Sequence, residues 1–357
     1  MSRAKKICIV VTSLGKGGAE RSSSLLTHML SDLGHDIHLV SIMDDIDYEF
    51  KGQLLNLGTL QSTGPKLFLK YKKFKAFKSY LKRHQFDYVI DNRTRPSVLR
   101  ELVVSRWLYN PDHTIYCVRS YHLNTYFVSS KMLAKYLYKD AYKIVGVSKE
   151  IAANIEQEFE FKNVTSIYNP IESIEAVAHK NERPYILFYG RIVDDVKNIS
   201  LLIEAYQQSE LPEQQIDLII LGSGEDVQVL KRKVNVLNLS DNIQFVPFQV
   251  YPYDYVKGAK FTVLTSHYEG FPRSIIESLA LGIPVISVDC KSGPKEIIQH
   301  ESNGLLVKNY NAKALAQAMN RFMNNQELYS ICKTNAKSSV QPFSMSAIAE
   351  HWDALLK

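Results

Sequence analysis

The stretch SHYEGFPRSIIESLALGIPVIS places Glu269 and Glu277 eight positions apart, with Gly270 and Pro272 between them. Pro272 suits the first turn of a helix that Gly282 would end. Amides of residues 270–273 would then face an anion from a helix start, and Glu277 could accept hydrogen bonds from vicinal hydroxyls such as a ribose's. Glu269, in the loop before the helix, could contact a second hydroxylated ring. In YGRIVDDVKN, Arg191 and Lys197 lie six residues apart at a strand end. Two cations converging there would clamp a diphosphate, the guanidinium as a fork and the ammonium as a point charge. Taken alone that pair is a weak signal, since basic residues after strands are often simply solvated.

A third candidate is SLGKGGAER, where Gly15, Gly17 and Gly18 open a helix and let backbone amides approach an anion. It is not the dinucleotide fingerprint, because Glu20 stands where GxGxxG needs its third glycine. Gly222-Ser223-Gly224 fails likewise at Val227, which disfavours a nicotinamide-dependent dehydrogenase. A tight turn is the alternative reading of either loop.

These loops need strands and helices to hold them. Apolar, β-branched runs alternate with helical patterns along all 357 residues, the layout of βαβ units in a mainly parallel sheet. Strands are expected at 6–14, 36–42, 86–92, 114–120, 142–148 and 164–169, with a helix from Ala19 to about Leu33. After a polar, aperiodic segment at 171–184, read as an inter-domain linker, strands are expected at 185–191, 217–222, 242–248, 260–266, 284–290 and 303–308. The fold class is therefore α/β, two Rossmann-like domains in tandem. Such sheets bind ligands outside the carboxyl ends of their strands, where the candidate loops lie. Ile348, Trp352, Leu355 and Leu356 form a helical stripe near the end of the chain.

Composition narrows the class further. Hydrophobic content of 45% and charged content of 22% exclude wholesale disorder. No apolar run approaches the roughly 18–20 residues that span a bilayer, and the basic-then-apolar start reads as a first buried strand rather than a signal peptide. Cys8, Cys117, Cys290 and Cys332 are too scattered for zinc or a disulfide framework and read as buried hydrophobes, three in strands and one in a helix, in a reducing cytosol. The net charge of +6 divides as +8 over residues 1–180 and −2 over residues 181–357, so the first half is the one to meet an anionic partner.

Much of that excess is in one segment. KLFLKYKKFKAFKSYLKR, residues 66–83, carries eight cations and no acid. Leu67, Tyr71, Phe74, Phe77 and Leu81 recur at helical spacing, giving an amphipathic helix with a cationic face that includes Lys70, Lys72, Lys73, Lys75, Lys78, Lys82 and Arg83. A solvated face, a membrane-surface helix and a nucleic-acid site compete. Embedded aromatics favour the anionic membrane surface over nucleic acid.

The ordered motifs resemble one family. The Glu269–Glu277 element looks like the E-x7-E motif of retaining glycosyltransferases of the GT-B fold, family four. Gly17-Gly-Ala-Glu-Arg21, Gly146-Val-Ser-Lys149, Asn169-Pro170, Gly190-Arg191 with Lys197, Gly222-x-Gly224 and Glu269-Gly-Phe-Pro272 occur in that family's order over nearly the whole chain. The resemblance implies an acceptor-binding domain over 1–175, a donor-binding domain over 176–341 facing it across a cleft, and a terminal helix, 342–357, returning to the first domain. It implies that Gly190, Arg191, Lys197, Gly222, Gly224, Phe248, Glu269, Gly270, Phe271, Pro272 and Glu277 bind a nucleotide sugar, a UDP-sugar by family tendency. Arg191 and Lys197 would neutralise the leaving diphosphate, Glu277 would hold the ribose, and Glu269 would orient the transferred sugar. Gly15, Gly17, Gly18, Glu20, Arg21 and His122 fall to the acceptor side, with His122 facing the sugar.

The activity this implies is transfer of a hexose or N-acetylhexosamine, with retention, to a glycan acceptor that is lipid-diphosphate-linked, in bacterial surface-glycan synthesis at the inner face of the cytoplasmic membrane. No assured carboxylate pair flanks the anomeric carbon, so a front-face route is favoured over double displacement. No cofactor and no metal are expected. Asp45-Ile46-Asp47 spells DxD but reads as a solvated loop far from the donor elements. An epimerase or phosphorylase on the same fold lacks its own motif here, and a non-catalytic sugar-nucleotide-binding partner has no need of the full diphosphate and ribose set.

Overall fold

The computed structural model describes residues 3–15, 17–61 and 65–357, which divide into two compact units. The first comprises residues 1–170 and 345–357 and the second Ile171–Ser344.

In the first unit, chain order runs β1 (Lys6–Val11), α1 (Gly18–Asp32), β2 (Asp36–Ser41), β3 (Gln53–Asn56), α2 (Lys66–His84), β4 (Tyr88–Asp91), α3 (Val98–Val103), β5 (Thr114–Val118), α4 (Lys131–Tyr138), β6 (Lys143–Gly146), α5 (Lys149–Phe159) and β7 (Val164–Ser166). The strands form one parallel sheet in the order β3-β2-β1-β4-β5-β6-β7. Strand order reverses between β1 and β4, which puts the crevice for a ligand at their carboxyl ends. Ile7, Ile9, Leu39, Ile90 and Ile115 are sealed in this sheet, each at most 0% exposed, because central parallel strands are covered on both faces.

The second unit repeats the plan: β8 (Tyr185–Tyr189), α6 (Asp194–Lys197), α7 (Ile199–Gln208), β9 (Asp217–Leu221), α8 (Val227–Val236), β10 (Ile243–Val246), α9 (Tyr253–Gly258), β11 (Thr262–Leu264), α10 (Arg273–Ala280), β12 (Val285–Val288), α11 (Pro294–Ile297), β13 (Gly304–Val307), α12 (Ala312–Asn324) and α13 (Gln326–Ser339). Its parallel sheet runs β10-β9-β8-β11-β12-β13, with the reversal between β8 and β11. The final helix, α14 (Met345–Leu355), belongs to the first unit. There Ile348, Trp352 and Leu356 join α1 residues Leu26, Met29 and Leu30 in one core, and Tyr142 donates its hydroxyl hydrogen to the Leu355 carbonyl at 2.8 Å.

Several expectations are corrected. β3 was not anticipated: its residues QLLN are exposed to half-buried at a sheet edge, so they lack the apolar, β-branched signature of a buried strand. Pro272 is the residue before α10 rather than part of its first turn. Cys290 lies two residues beyond β12, so two cysteines are in strands, although all four are buried and free. The segment 171–184, read as an inter-domain linker, is held within the second unit, since Val177 and His179 bond Asp254 at 3.0 and 2.9 Å and the His179 ring stacks on Tyr255 at 4.0 Å.

The basic segment is helical, but its apolar residues are not a covered stripe. Phe77 alone is buried on α2, against Tyr109 at 6.1 Å, while Leu67, Phe68 and Tyr71 are 77%, 57% and 58% exposed. Tyr80 holds the C-terminal half through a 2.5 Å bond to His38 Nδ1. Among the described residues no helix is long and apolar enough to cross a membrane.

Candidate active site

Three loops at the carboxyl ends of β8, β9 and β10 are laced together by their backbones. Gly190 donates to Leu221, Gly222 to Val246, and Ile192 to Ser223, at 2.9–3.0 Å. A side chain at Gly222, whose φ is +153°, would overlap the Gly190 carbonyl, so this close approach requires glycine. The Phe248 amide bonds Ser223 Oγ at 3.3 Å, which places that ring, 38% exposed, beside the same loops. Arg191 leaves this platform exposed.

Lys197 ends the short helix α6, which is fixed at both ends. The Asp194 amide donates to Asp226 at 2.7 Å, and the Asp194 carboxylate accepts from the Ser200 amide at 2.8 Å. The loop after β11 is tied to α6 from the other side of the strand-order reversal. Thr265 Oγ1 donates to the Lys197 carbonyl at 2.9 Å and the His267 amide to that of Val196 at 2.9 Å. These bonds bring Lys197 Nζ to 2.5 Å from Glu269 Oε1, and Ser266 Oγ donates to the same oxygen at 2.6 Å. Both side chains are largely shielded, at 18% and 12% exposure, so their attraction is screened less than a surface pair's. The second unit thus assembles Lys197 and Glu269 as one ion pair, where sequence reasoning assigned them to separate parts of a donor.

Glu277 lies deeper. It is 8% exposed on α10 and paired with Arg273 one turn before it, Nε at 3.0 Å and Nη2 at 2.9 Å from Oε1. Burial pushes its carboxyl above the usual range despite the opposing pull of Arg273. Phe271 is buried edge-on against Phe343, 5.0 Å between centroids, and Ser292 Oγ bonds the Gly270 carbonyl at 2.9 Å, fixing the turn that carries Pro272.

In the first unit, Gly15 is pressed against Asp45, whose carbonyl accepts from the Leu14 amide at 2.9 Å. Gly17 precedes α1, where Gly18 is exposed, Glu20 is half-buried and Arg21 lies over the Tyr48 ring at 5.2 Å. Asp45 and Asp47 are exposed in a loop that is backbone-bonded to the glycine loop. Among the described residues no three His, Cys, Asp or Glu side chains group closely enough to hold a metal. His122 is exposed after β5, its amide on Ser120 Oγ at 3.2 Å.

Residues not anticipated also occupy strand ends. At the end of β4, Asp91, Arg93, Arg95 and Glu101 form a buried charged cluster, each no more than 5% exposed. Arg93 Nη2 is 2.6 Å from Asp91 and 3.4 Å from Glu101, and Arg95 donates to the carbonyls of Arg93, Cys117 and Tyr126 at 3.0–3.2 Å among the rings of Tyr116 and Tyr126. Burial alone would raise the Asp91 carboxyl, but Arg93 and Arg95 outweigh it and lower it. Arg119 Nη1 bonds Asn169 at 3.0 Å at the ends of β5 and β7. The signals available were the run DNRTRP after a strand and the Arg of RSYH.

Two family models together span most of the chain, Glycosyltransferase Family 4 over residues 16–173 and Glycosyl transferases group 1 over residues 171–339. The chain belongs to these glycosyltransferases. The transferase is 29% identical over 370 residues, covering 98% of both chains, to N-acetylgalactosamine-N,N'-diacetylbacillosaminyl-diphospho-undecaprenol 4-alpha-N-acetylgalactosaminyltransferase of Campylobacter jejuni. It is 24% identical over 359 residues, 99% of this chain and all of the relative, to an uncharacterized glycosyltransferase of Haemophilus influenzae. The crystal structure of Anabaena HepE with UDP-glucose superposes with a TM-score of 0.78 at 18% identity, covering 99% of each chain. The transferase therefore has the GT-B fold, two parallel-sheet α/β units, as the motif order implied.

Proposed function

We propose that this transferase moves a hexose or N-acetylhexosamine from a UDP-sugar to a lipid-diphosphate-linked glycan, with retention, in the synthesis of a bacterial surface glycan. The observation that carries the reading is the Lys197–Glu269 pair beside the glycine platform, at the strand-order reversal where α/β sheets take ligands. A donor diphosphate arriving at Arg191 and Lys197 would compete with Glu269 for the ammonium. Glu269, still held by Ser266, would then be available to a hydroxyl of the sugar. The bond from the anomeric carbon to the diphosphate breaks, the acceptor oxygen bonds the same face of that carbon, and the acceptor's proton passes to the departing phosphate oxygen. Arg191 and Lys197 offset the charge that develops there. Glu277 accepts from the ribose hydroxyls, and His122 with the loop 15–21 serves the acceptor.

The lipid-linked acceptor is supported by the name of the Campylobacter relative and by α2, whose exposed Leu67, Phe68 and Tyr71 adjoin Lys70, Lys72 and Lys75. Such a helix lies in an anionic interface, each cation contributing about 1 kcal/mol. Vesicles containing anionic lipid are expected to float the protein at low salt, and the Lys72→Glu, Lys73→Glu, Lys75→Glu triple variant is expected to stay in the soluble fraction. Equal flotation of both proteins would remove the membrane role.

The deciding experiment is a panel of nucleotide sugars with a polyprenyl-diphosphate glycan as acceptor. UDP is expected to appear in step with glycosylated lipid, whose new linkage keeps the donor's anomeric configuration by NMR. Inversion would overturn the front-face route; UDP release without product, or none at all, would favour a non-catalytic partner or an epimerase. Activity is also expected to persist in excess chelator, and its abolition would show that a metal is required.

A further inference from the structure

The ribose end of the donor site holds a buried carboxylate whose two oxygens are treated unequally. Arg273 Nε donates to Glu277 Oε1 at 3.0 Å, and Nη2 stands at ion-pair distance, 2.9 Å, from the same oxygen. Oε2 has the Tyr189 hydroxyl at 3.4 Å, but that hydroxyl has one proton and a much better acceptor in the Ser274 carbonyl at 2.7 Å. A carboxylate oxygen offers two lone pairs, so Oε2 retains acceptor capacity in a place largely closed to water. We propose that Arg273 is a positioning residue for donor binding: its guanidinium holds Oε1 from one side, so that Oε2 is presented to the vicinal hydroxyls of the ribose. The inference rests on the donor reading above and adds to it the residue on which the ribose contact depends.

The groups around Glu277 make the dependence specific. Arg273 faces it from its own helix, Tyr189 from β8, and Glu172 from the segment before β8. Glu172 disfavours a second negative charge, and Tyr189, itself pushed up by burial and facing Tyr253, opposes this effect only through its long 3.4 Å hydrogen bond and contributes no cation. Removing Arg273 leaves burial and Glu172 both acting to protonate Glu277. A carboxyl already raised rises further, so ribose binding is retained at high pH and lost as pH falls through the new value.

The test is calorimetric titration of the full chain with UDP between about pH 6 and pH 9. Buried glutamic acids without a partner titrate at about 8–9, so Arg273→Met is expected to bind UDP about tenfold more weakly at pH 6 than at pH 9, after correction by the wild type for titration of UDP itself. Arg273→Lys, which keeps the charge without the fork, is expected to restore the wild-type pH profile at reduced affinity. Glu277→Gln is expected to bind weakly at every pH. With 2′,3′-dideoxy-UDP the excess pH dependence of Arg273→Met is expected to vanish. A pH-independent loss in Arg273→Met, or none, overturns the inference while leaving the donor site intact; failure of the wild type to bind UDP overturns the donor reading and the inference with it. Should Arg273→Met not fold, the Arg273→Met, Glu277→Gln double variant, which buries no charge, is expected to bind as weakly as Glu277→Gln alone. Any further loss counts against the proposal.

Discussion

Lys197→Ala is expected to lower kcat by a hundred- to a thousandfold, about 3–4 kcal/mol of transition-state stabilisation. The ammonium is held by a helix end that is itself bonded at Asp226, Ser200 and Thr265, so it is preorganised toward the strand-order reversal. Charge on the departing diphosphate grows as the glycosyl bond breaks, so kcat and kcat/KM should fall together. Glu269→Gln keeps the shape and the Ser266 contact but removes the charge that pairs with Lys197, and is expected to lose about a hundredfold in kcat. Steady-state kinetics with the preferred donor check both. A Glu269→Gln enzyme within about threefold of wild-type kcat would end its assignment as the sugar-orienting group.

Asp91→Ala is expected to destabilise the first unit by about 3–5 kcal/mol, because it strands Arg93 and Arg95 without their shared counter-charge. For a unit of this size that corresponds to a fall of roughly 10 °C in its melting transition. Scanning calorimetry reads it directly, and a transition shifted by less than about 3 °C would mean that Glu101 and the backbone carbonyls suffice for both guanidiniums. The expected loss is structural: Asp91 closes β4, and through Arg95 the cluster reaches the carbonyls of Cys117 in the neighbouring strand β5 and of Tyr126 after it.

What the sequence disclosed follows from periodicity. Buried central strands such as KICIVV and DLIIL are written as apolar, β-branched runs, and every one expected has a strand inside it. The edge strand Gln53–Asn56 is half-wet and carries no such run, so nothing marked it. The α2 pattern gave a helix and a cationic face correctly, but spacing cannot say whether anything covers the apolar face, and Leu67 and Tyr71 turn out exposed. In the candidate site, the close approach of the β8 and β9 loops was legible because a backbone contact such as that at Gly222 demands glycine. The pairing of Lys197 with Glu269, the Ser266 contact and the Arg273 fork were not, because each depends on which side chain wins an oxygen once the strands are side by side. The Asp91 cluster was hidden for the same reason.

The return of α14 to the first unit has a consequence during synthesis. A ribosome adds about 5–20 residues per second, so roughly ten seconds or more pass between the emergence of β7 and that of the helix bearing Ile348 and Trp352. Throughout that interval Leu26, Met29 and Leu30 of α1 lack their covering helix while the second unit is already being made. The nascent chain therefore carries an open apolar seat, which a chaperone could shield and a misplaced helix could occupy, until α14 arrives.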